Sequence, residues 1–174
     1  MIPTVQTERL TLRGALRSDF DGYAAMLADP RTEYMGGPFD RGAAWCEFNK
    51  YIASWHLSGF GGWMITATSN GALLGEVGIT YSHHFPEPEL GWSLMARAEG
   101  HGFGFEAAGA ARDWFWANTE GDALVSYVDP ANTRSAALAR RLGATADPDA
   151  PLPTGETAAE TTVYRHVRPQ QVHA

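Results

Sequence analysis

The chain has 174 residues, 44% of them hydrophobic, with a formal net charge of −7 and a single cysteine. This length suits one well-cored domain, and no apolar run is long enough to span a membrane. The acidic balance argues against nucleic acid as the main partner, and the lone Cys46 excludes a disulfide framework or a cysteine-based zinc cluster.

The N-terminal part of the chain reads as one strand followed by two helices. Residues 8–14, ERLTLRG, alternate apolar and polar side chains as a half-buried strand does. Ser18 and Asp21 have the spacing of a capping box ahead of the helix FDGYAAMLAD. In residues 41–56 bulky apolar side chains recur every three or four positions, which predicts a second helix with one buried face formed by Trp45, Phe48, Ile52 and Trp55.

A hairpin and a third strand follow. Two β-branched runs in residues 63–81 meet at Asn70-Gly71, the strongest short signal for a hairpin turn. Residues 88–94, PELGWSL, predict the next strand. After a glycine-rich segment, a helix is predicted to about residue 118, with a buried stripe formed by Phe103, Ala107, Ala110 and Trp114.

The C-terminal part adds strand, helix and strand. ALVSYV predicts a strand, and NTRSAALARRLG predicts a helix with Asn132 as N-cap, Arg140 and Arg141 in the last turn and Gly143 at the C-terminal end. TTVYRHV predicts the final strand. The order β-α-α-β-β-β-α-β-α-β indicates a single α/β domain over residues 1–174, with a mixed, mostly antiparallel sheet flanked by helices.

The glycine-rich segment RAEGHGFG, residues 97–104, carries the clearest functional signal. Glycines at alternate positions precede a helix, where bare backbone and unpaired N–H groups favour a bound anion, most often phosphate. A dinucleotide-binding loop is one alternative, but the G-x-G-x-x-G spacing is absent and the loop lies past the middle of the chain. Asp129 would be its ribose partner only by coincidence.

The segments ELGWSLMARAEGHGFGFEAA and VDPANTRSAALARRLG, in this order and spacing, resemble the GNAT superfamily of N-acetyltransferases. TERLTLR and LADP further resemble the RimJ/RimL-like branch, which acetylates the N termini of ribosomal proteins. The resemblance covers nearly the whole chain and implies the GNAT (acyl-CoA N-acyltransferase) fold.

This resemblance also implies a binding site for acetyl-CoA. The pantetheine is expected along Ser93, Leu94 and Met95, and the pyrophosphate over Glu99, Gly100, His101, Gly102, Phe103 and Gly104, with Asn132 and Arg134 as further contacts. Glu99 departs from the family pattern, since many members carry Gln or Arg there. We expect Arg97, His101 and Arg134 to compensate for its charge.

Acetyl transfer requires a neutral amine, a donor for the developing oxyanion and a proton for the leaving thiolate. By family analogy, the oxyanion donors are backbone N–H groups near Leu94 and Met95, at a bulge in the strand. Glu89 matches the family's Glu-apolar-Gly pattern and is the expected base, directly or through water. Many members carry a Tyr seven residues after Asn132, where this chain has Ala139, so Ser135 is the expected acid.

Several residues have simpler interpretations. Ser135 also suits a helix cap, Glu89 a solvated strand end, and Glu76, a second candidate base, a charge on a solvent face of a strand. His83 and His84 lack the spacing of metal ligands and suggest a substrate-side loop, so no metal is expected.

The expected function is transfer of acetyl from acetyl-CoA to a primary amine by direct attack, with a peptide N terminus or a small amine as acceptor. The alternatives are a CoA-binding regulatory module without catalysis and an acetyltransferase for a small molecule such as an antibiotic or polyamine. We expect no nucleic-acid or membrane partner, leave a homodimer open, and expect a cytoplasmic location because the N terminus lacks the pattern of a secretion signal.

Overall fold

The computed structural model, which describes residues 1–168, has one eight-stranded sheet at its centre. Numbered along the chain, its strands are β1 (Val5–Gln6), β2 (Leu10–Arg13), β3 (Gly62–Ala67), β4 (Leu73–Thr80), β5 (Glu89–Leu94), β6 (Leu124–Val128), β7 (Thr145–Ala146) and β8 (Thr162–His166). Their order across the sheet is β1-β2-β3-β4-β5-β6-β8-β7. All neighbouring pairs are antiparallel except β5 and β6, so the prediction of a mixed, mostly antiparallel sheet is confirmed.

Four α-helices in the described part of the chain cover the two faces of the sheet. They are α1 (Phe20–Leu27), α2 (Arg41–Ser58), α3 (Phe103–Asn118) and α4 (Thr133–Arg141), with short 3₁₀ helices at Arg17–Asp19, Pro30–Met35 and Ala96–Ala98. Helices α1 and α2 pack on one face around Met64 and Met95. Helix α3 packs on the other face, beside α4, which lies against β6 and β8. Because both faces are covered, the central strands are buried on both sides.

The start of α1 differs from its predicted cap. Ser18 and Asp21 do not cap the helix; instead Asp19 accepts a hydrogen bond from the Leu16 amide at 2.7 Å. Asp19 also pairs with Arg13 at 2.7 Å, which ties the end of β2 to α1. A buried carboxylate that pairs with an arginine stabilises this corner more than an exposed capping box would. The strand β1 and the two-residue β7, too short for a periodic signal, were not predicted.

The apolar face of α2 is only partly buried. Phe48 is buried, whereas Trp45 is 39% exposed and packs its ring edge against Phe20. Ile52 packs against the cluster under α1, whereas Trp55 packs against the other cluster, where its ring contacts Trp63. The predicted single buried face is therefore wrong at Trp45. The helix ends at Gly59, which has φ 76°, and the predicted hairpin turn at Gly71 is confirmed.

The buried stripe of α3 is rotated from its predicted position. The fully buried positions are Gly104, Ala107, Ala108, Ala111, Phe115 and Trp116, whereas Phe103, Ala110 and Trp114 are only partly buried. Small residues line most of this helix, so neighbouring stripes differ little in hydrophobicity and the sequence did not distinguish them. Their small size brings α3 close to the sheet.

No helix within residues 1–168 has the length and apolar character needed to cross a bilayer. Cys46 lies in α2 and is exposed.

Candidate active site

Within residues 1–168, the parallel strands β5 and β6 pair at one position, near the start of each strand. Glu89 lies opposite Val125, whose amide donates to the carbonyl of Pro88 at 3.0 Å. The Ser126 hydroxyl donates to the carbonyl of Leu90 at 2.7 Å. Beyond this point the described part of the chain contains no further β5–β6 bridge, so the two strands diverge and leave a gap in the sheet.

The alternation of a strand identifies the backbone groups that face this gap. The Met95 amide donates to the Leu74 carbonyl of β4 at 2.8 Å, so the amides of Trp92 and Leu94 point the other way, toward the gap. The Met95 N–H is therefore bonded to β4 and does not face the gap, whereas the Leu94 N–H faces it and stays the candidate oxyanion donor. The predicted bulge is also absent from the pairing of β5 with β4, which is regular from residue 89 to residue 94.

The glycine loop reaches the start of α3 at the mouth of the gap. Gly100 and Gly102 have φ angles of 77° and 80°, a left-handed conformation that side chains rarely adopt. Gly102 is the N-cap of α3 and has no side chain to satisfy the first-turn amides, which stay available to an anion. Gly104 serves packing as well, because a Cβ there would lie 3.2 Å from the side chain of Leu138 and 3.4 Å from that of Leu94.

Glu99 is held between two arginines from distant parts of the chain. Its carboxylate contacts Arg31 at 2.5 Å and Arg134, in the first turn of α4, at 2.8 Å. Arg134 thus compensates the charge as predicted, but Arg97 instead donates to the carbonyl of Leu73 at 2.6 Å. Arg31 was missed, since nothing in the sequence links it to the loop.

Neighbouring loop residues are fixed by short contacts. The ring of His101 bonds through Nδ1 to the Glu99 carbonyl at 2.7 Å and stacks on Phe103 at 5.7 Å between ring centroids. Glu106, in the first turn of α3, accepts hydrogen bonds from the Arg9 side chain at 2.7 Å and from the Thr7 hydroxyl at 2.5 Å. These contacts anchor the N terminus of α3 to the first two strands.

Ser135 is free for a role other than capping. The carboxamide oxygen of Asn132 accepts from the Ser135 amide at 3.1 Å, which confirms Asn132 as the N-cap of α4. The Ser135 hydroxyl makes no hydrogen bond to any of residues 1–168. Ala139, where a tyrosine was expected from the family pattern, is fully buried against Val128 and Tyr164.

Glu89 is half-buried at the beginning of β5. Burial raises its pKa to about 7, and the charge of Glu156 acts in the same direction. The ammonium of Lys50 and the amide of Tyr127 oppose this rise. A carboxyl with this pKa exchanges its proton near neutral pH, as a general base requires.

Glu76 is not on a solvent face, contrary to the simple interpretation of the sequence. It is 1% exposed, beneath α1 and α2, and burial raises its pKa to about 8. The hydroxyls of Tyr23, Tyr51 and Ser93 lower that pKa in part.

An open cleft of about 840 Å³ lies on the α2 side of the sheet and is bordered by Thr80, the β4 residue that pairs with Glu89. Its lining includes Lys50, Ser54, Thr80, His83, His84 and Glu156. The two histidines stand on the loop between β4 and β5 with ring centroids 3.9 Å apart, on the side expected for an acceptor. In the part of the chain that the structure describes, no group of three or more His, Cys, Asp or Glu side chains is placed to hold a metal.

Comparison with known proteins agrees with this geometry. A family profile described as "Acetyltransferase (GNAT) domain" matches residues 9–145. An acetyltransferase of Agrobacterium tumefaciens, known from a crystal structure, is 44% identical over 95% of this chain and 95% of its own, with a TM-score of 0.89.

Two more distant structures share the fold. RimL, a ribosomal-protein α-N-acetyltransferase in complex with coenzyme A, is 15% identical with a TM-score of 0.71, over 95% of this chain and 98% of its own. The microcin self-immunity acetyltransferase MccE, in complex with acetyl-CoA and AMP, is 14% identical with a TM-score of 0.71, over 92% of this chain and 93% of its own. These matches decide against a dinucleotide-binding fold.

Proposed function

The chain belongs to the GNAT family and is an acetyl-CoA-dependent N-acetyltransferase, and from that premise we propose that its acceptor is a primary amine of low pKa, either the N terminus of a protein or peptide or a small amine. The observation that carries this proposal is the position of Glu89. Its carboxyl, with a pKa of about 7, lies between the gap in the sheet and the open cleft.

The gap and the glycine loop are the proposed site for acetyl-CoA. The backbone groups of Trp92 and Leu94 face the gap and can form hydrogen bonds with the pantetheine. Ser93 and Met95, the neighbouring residues, are the further proposed pantetheine contacts. The first-turn amides of α3 after Gly102 suit a pyrophosphate, because a helix N terminus attracts anions without needing a basic patch. Two structures that share the fold contain coenzyme A or acetyl-CoA, which supports this assignment.

Each chemical step has a candidate residue. Glu89 accepts a proton from the attacking ammonium, directly or through water, so that the neutral amine can attack the thioester carbonyl. The Leu94 N–H donates to the oxygen on which negative charge develops. As the carbon–sulfur bond breaks, the Ser135 hydroxyl donates a proton to the leaving thiolate, with Tyr127 or a water as the alternative donor.

The acidity of the acceptor decides between amine types. An α-amine has a pKa of about 8 and a lysine ε-amine about 10.4, so neutralising lysine near pH 7 costs about 3 kcal/mol more. One half-buried carboxylate does not offset that difference. The preferred acceptor is therefore an N-terminal amine or a small amine of similar acidity. RimL, which shares the fold, is an α-N-acetyltransferase of a ribosomal protein, so acetylation of an N-terminal amine occurs on this scaffold.

Initial rates on two matched peptides test this function. One peptide has a free N terminus and no lysine, and the other has a blocked N terminus and one lysine; release of free thiol from acetyl-CoA is measured across pH. We expect the first peptide to react faster, with kcat/KM rising as Glu89 loses its proton through about pH 7. Glu89→Gln should shift that rise to higher pH, where the amine loses its proton to water, whereas Glu120→Gln, at an exposed position after α3, should leave the profile unchanged.

Equal rates on the two peptides would overturn the choice of acceptor. Identical pH profiles for the wild type and Glu89→Gln would remove Glu89 as the base. We further propose that the single domain extends beyond the matched range to residues 1–174 and acts in the cytoplasm, where the exposed Cys46 stays reduced.

A further inference from the structure

Three glycines form a row across the middle of the sheet. In the strand register Gly62 lies beside Gly78, and Gly78 lies beside Gly91, so β3, β4 and β5 carry no side chain along this line. On either side of Gly91, the side chains of Glu89 and Ser93 point to the same face, the one that α1 and α2 cover. The three glycines therefore form the floor of a groove beneath those helices, and this floor consists of backbone without side chains.

The ring of Tyr51 covers two of the three glycines. A Cβ on Gly78 would lie 2.8 Å from Cε1 of Tyr51, and a Cβ on Gly62 would collide with the same ring. A Cβ on Gly91, in contrast, meets no atom within 4 Å. The groove is filled at one end and open at the other, directly over Gly91.

The groups around the open end suit an ammonium ion. Glu89 supplies a carboxylate on the same strand, and Tyr127 is the β6 residue level with Gly91, because Glu89 lies opposite Val125. The Tyr127 hydroxyl is buried and has no hydrogen-bond partner within residues 1–168. Carboxylates and phenol rings are the groups that proteins use to hold cationic amines. An apolar or anionic ligand would leave both polar groups unpaired.

We infer that the bare backbone of Gly91 seats the amine-bearing carbon of the acceptor, and that Tyr51 closes the seat on its β4 side, so that the enzyme selects amines whose carbon bears a small substituent. This inference rests on the proposed function, since it assigns a position and a size limit to the acceptor amine. For a peptide acceptor the limit favours Gly, Ala or Ser as first residue over Leu or Phe. The selectivity comes from the missing side chain, because a substituent on the acceptor occupies the volume a Cβ would take.

Gly91→Ala tests the inference because it adds one methyl group to the seat without touching the rest of the protein. The matched control is Gly109→Ala in α3, on the opposite face of the sheet, where the added Cβ makes an ordinary contact with Leu142 at 3.8 Å. kcat/KM is measured on peptides that differ only in the first residue, Gly, Ala or Leu. The Kd for acetyl-CoA and the thermal midpoint are measured on the same samples.

We expect Gly91→Ala to lower kcat/KM for the Ala peptide about tenfold more than for the Gly peptide, because the added methyl group takes the space over Gly91 that the Ala side chain would occupy, and one methyl group in a substrate pocket has an effect of about this size. Acetyl-CoA affinity and the thermal midpoint should match those of the wild type, and Gly109→Ala should leave the order of peptides unchanged. Equal losses on all peptides, or no loss, would overturn the inference.

A second variant covers the case in which Gly91→Ala does not fold. Tyr51→Leu widens the seat and should raise the rate on the Leu peptide relative to the Gly peptide; an unchanged ratio would overturn the inference. Failure of the proposed function is distinguishable, because the wild type would then acetylate none of the peptides. In that event, the same variants are compared on small amines with and without a branch at the amine carbon. If Gly91→Ala does not change the preference between these amines, the inference that Gly91 seats the amine carbon is overturned.

Discussion

Replacing Glu76 with glutamine tests whether its buried carboxyl is protonated in the native protein. Glu76 is 1% exposed, and burial raises its pKa from 4.5 to about 8. In the unfolded chain the same group is hydrated and has its ordinary pKa. As the pH rises above 4.5, the unfolded state therefore releases this proton before the native state does, and the native state becomes less stable relative to it.

The size of this effect follows from the two pKa values. Each pH unit between them lowers the free energy of unfolding by about 1.4 kcal/mol. Over the whole interval, from 4.5 to about 8, the loss amounts to about 5 kcal/mol. The stabilisation is complete below pH 4.5 and is lost as the pH rises through about 8. Glu76→Gln has the same shape but no titrating proton, so it lacks this pH dependence.

Urea unfolding of the wild type and Glu76→Gln at about pH 5, 7 and 9 measures this difference directly. We expect the variant to gain stability relative to the wild type as the pH rises, by several kcal/mol between the first and last conditions. Glu120→Gln, at an exposed position, is the control and should show a constant difference. A difference for Glu76→Gln that does not change with pH, or that falls, would refute a neutral native carboxyl.

Three further predictions concern the cofactor side of the site. Ser135→Ala should lower kcat about 100-fold with an unchanged Kd for acetyl-CoA in calorimetry, since a proton donor acts in the transition state; an unchanged kcat would assign the acid role to Tyr127 or a water. Glu99→Gln should free Arg31 and Arg134 to interact with the phosphates and tighten acetyl-CoA binding severalfold at low salt. Weaker binding would mean that Glu99 is required to hold the two arginines in position. Acetyl-CoA at about 100 times its Kd should stabilise the fold by about 2.7 kcal/mol, and NAD should have no effect in the same thermal-shift assay.

Local signals predicted the parts of the site that depend on neighbouring residues. The turn at Asn70-Gly71, the helix start after Gly102 and the cap at Asn132 each depend on residues within one turn, and the structure confirms all three. Such features follow from backbone conformation and nearby hydrogen bonds, which the sequence determines directly.

Features that depend on tertiary contacts could not be predicted from the sequence. Arg31 meets Glu99 across 68 positions, and no periodicity or motif connects the two. The environment of Glu76 depends on α1 and α2 covering a face that strand alternation alone suggests is solvated. The row of glycines is visible only in the register, because Gly62, Gly78 and Gly91 lie on three different strands.

The single bridge between β5 and β6 divides the sheet into two hydrogen-bonded blocks. Within residues 1–168, the second block, β6 with β8 and β7, is attached to the first by that bridge, by the Ser126–Leu90 hydrogen bond, by the ion pair of Arg165 with Glu87 and by the packing of α3 and α4. Few hydrogen bonds must break to separate the blocks, so residues 124–128 and 162–166 should behave as one foldon with faster amide exchange than β3 and β4. A ligand that bonds to β5 along the gap acts as a substitute strand, and it should slow exchange in both blocks, including amides that it never contacts.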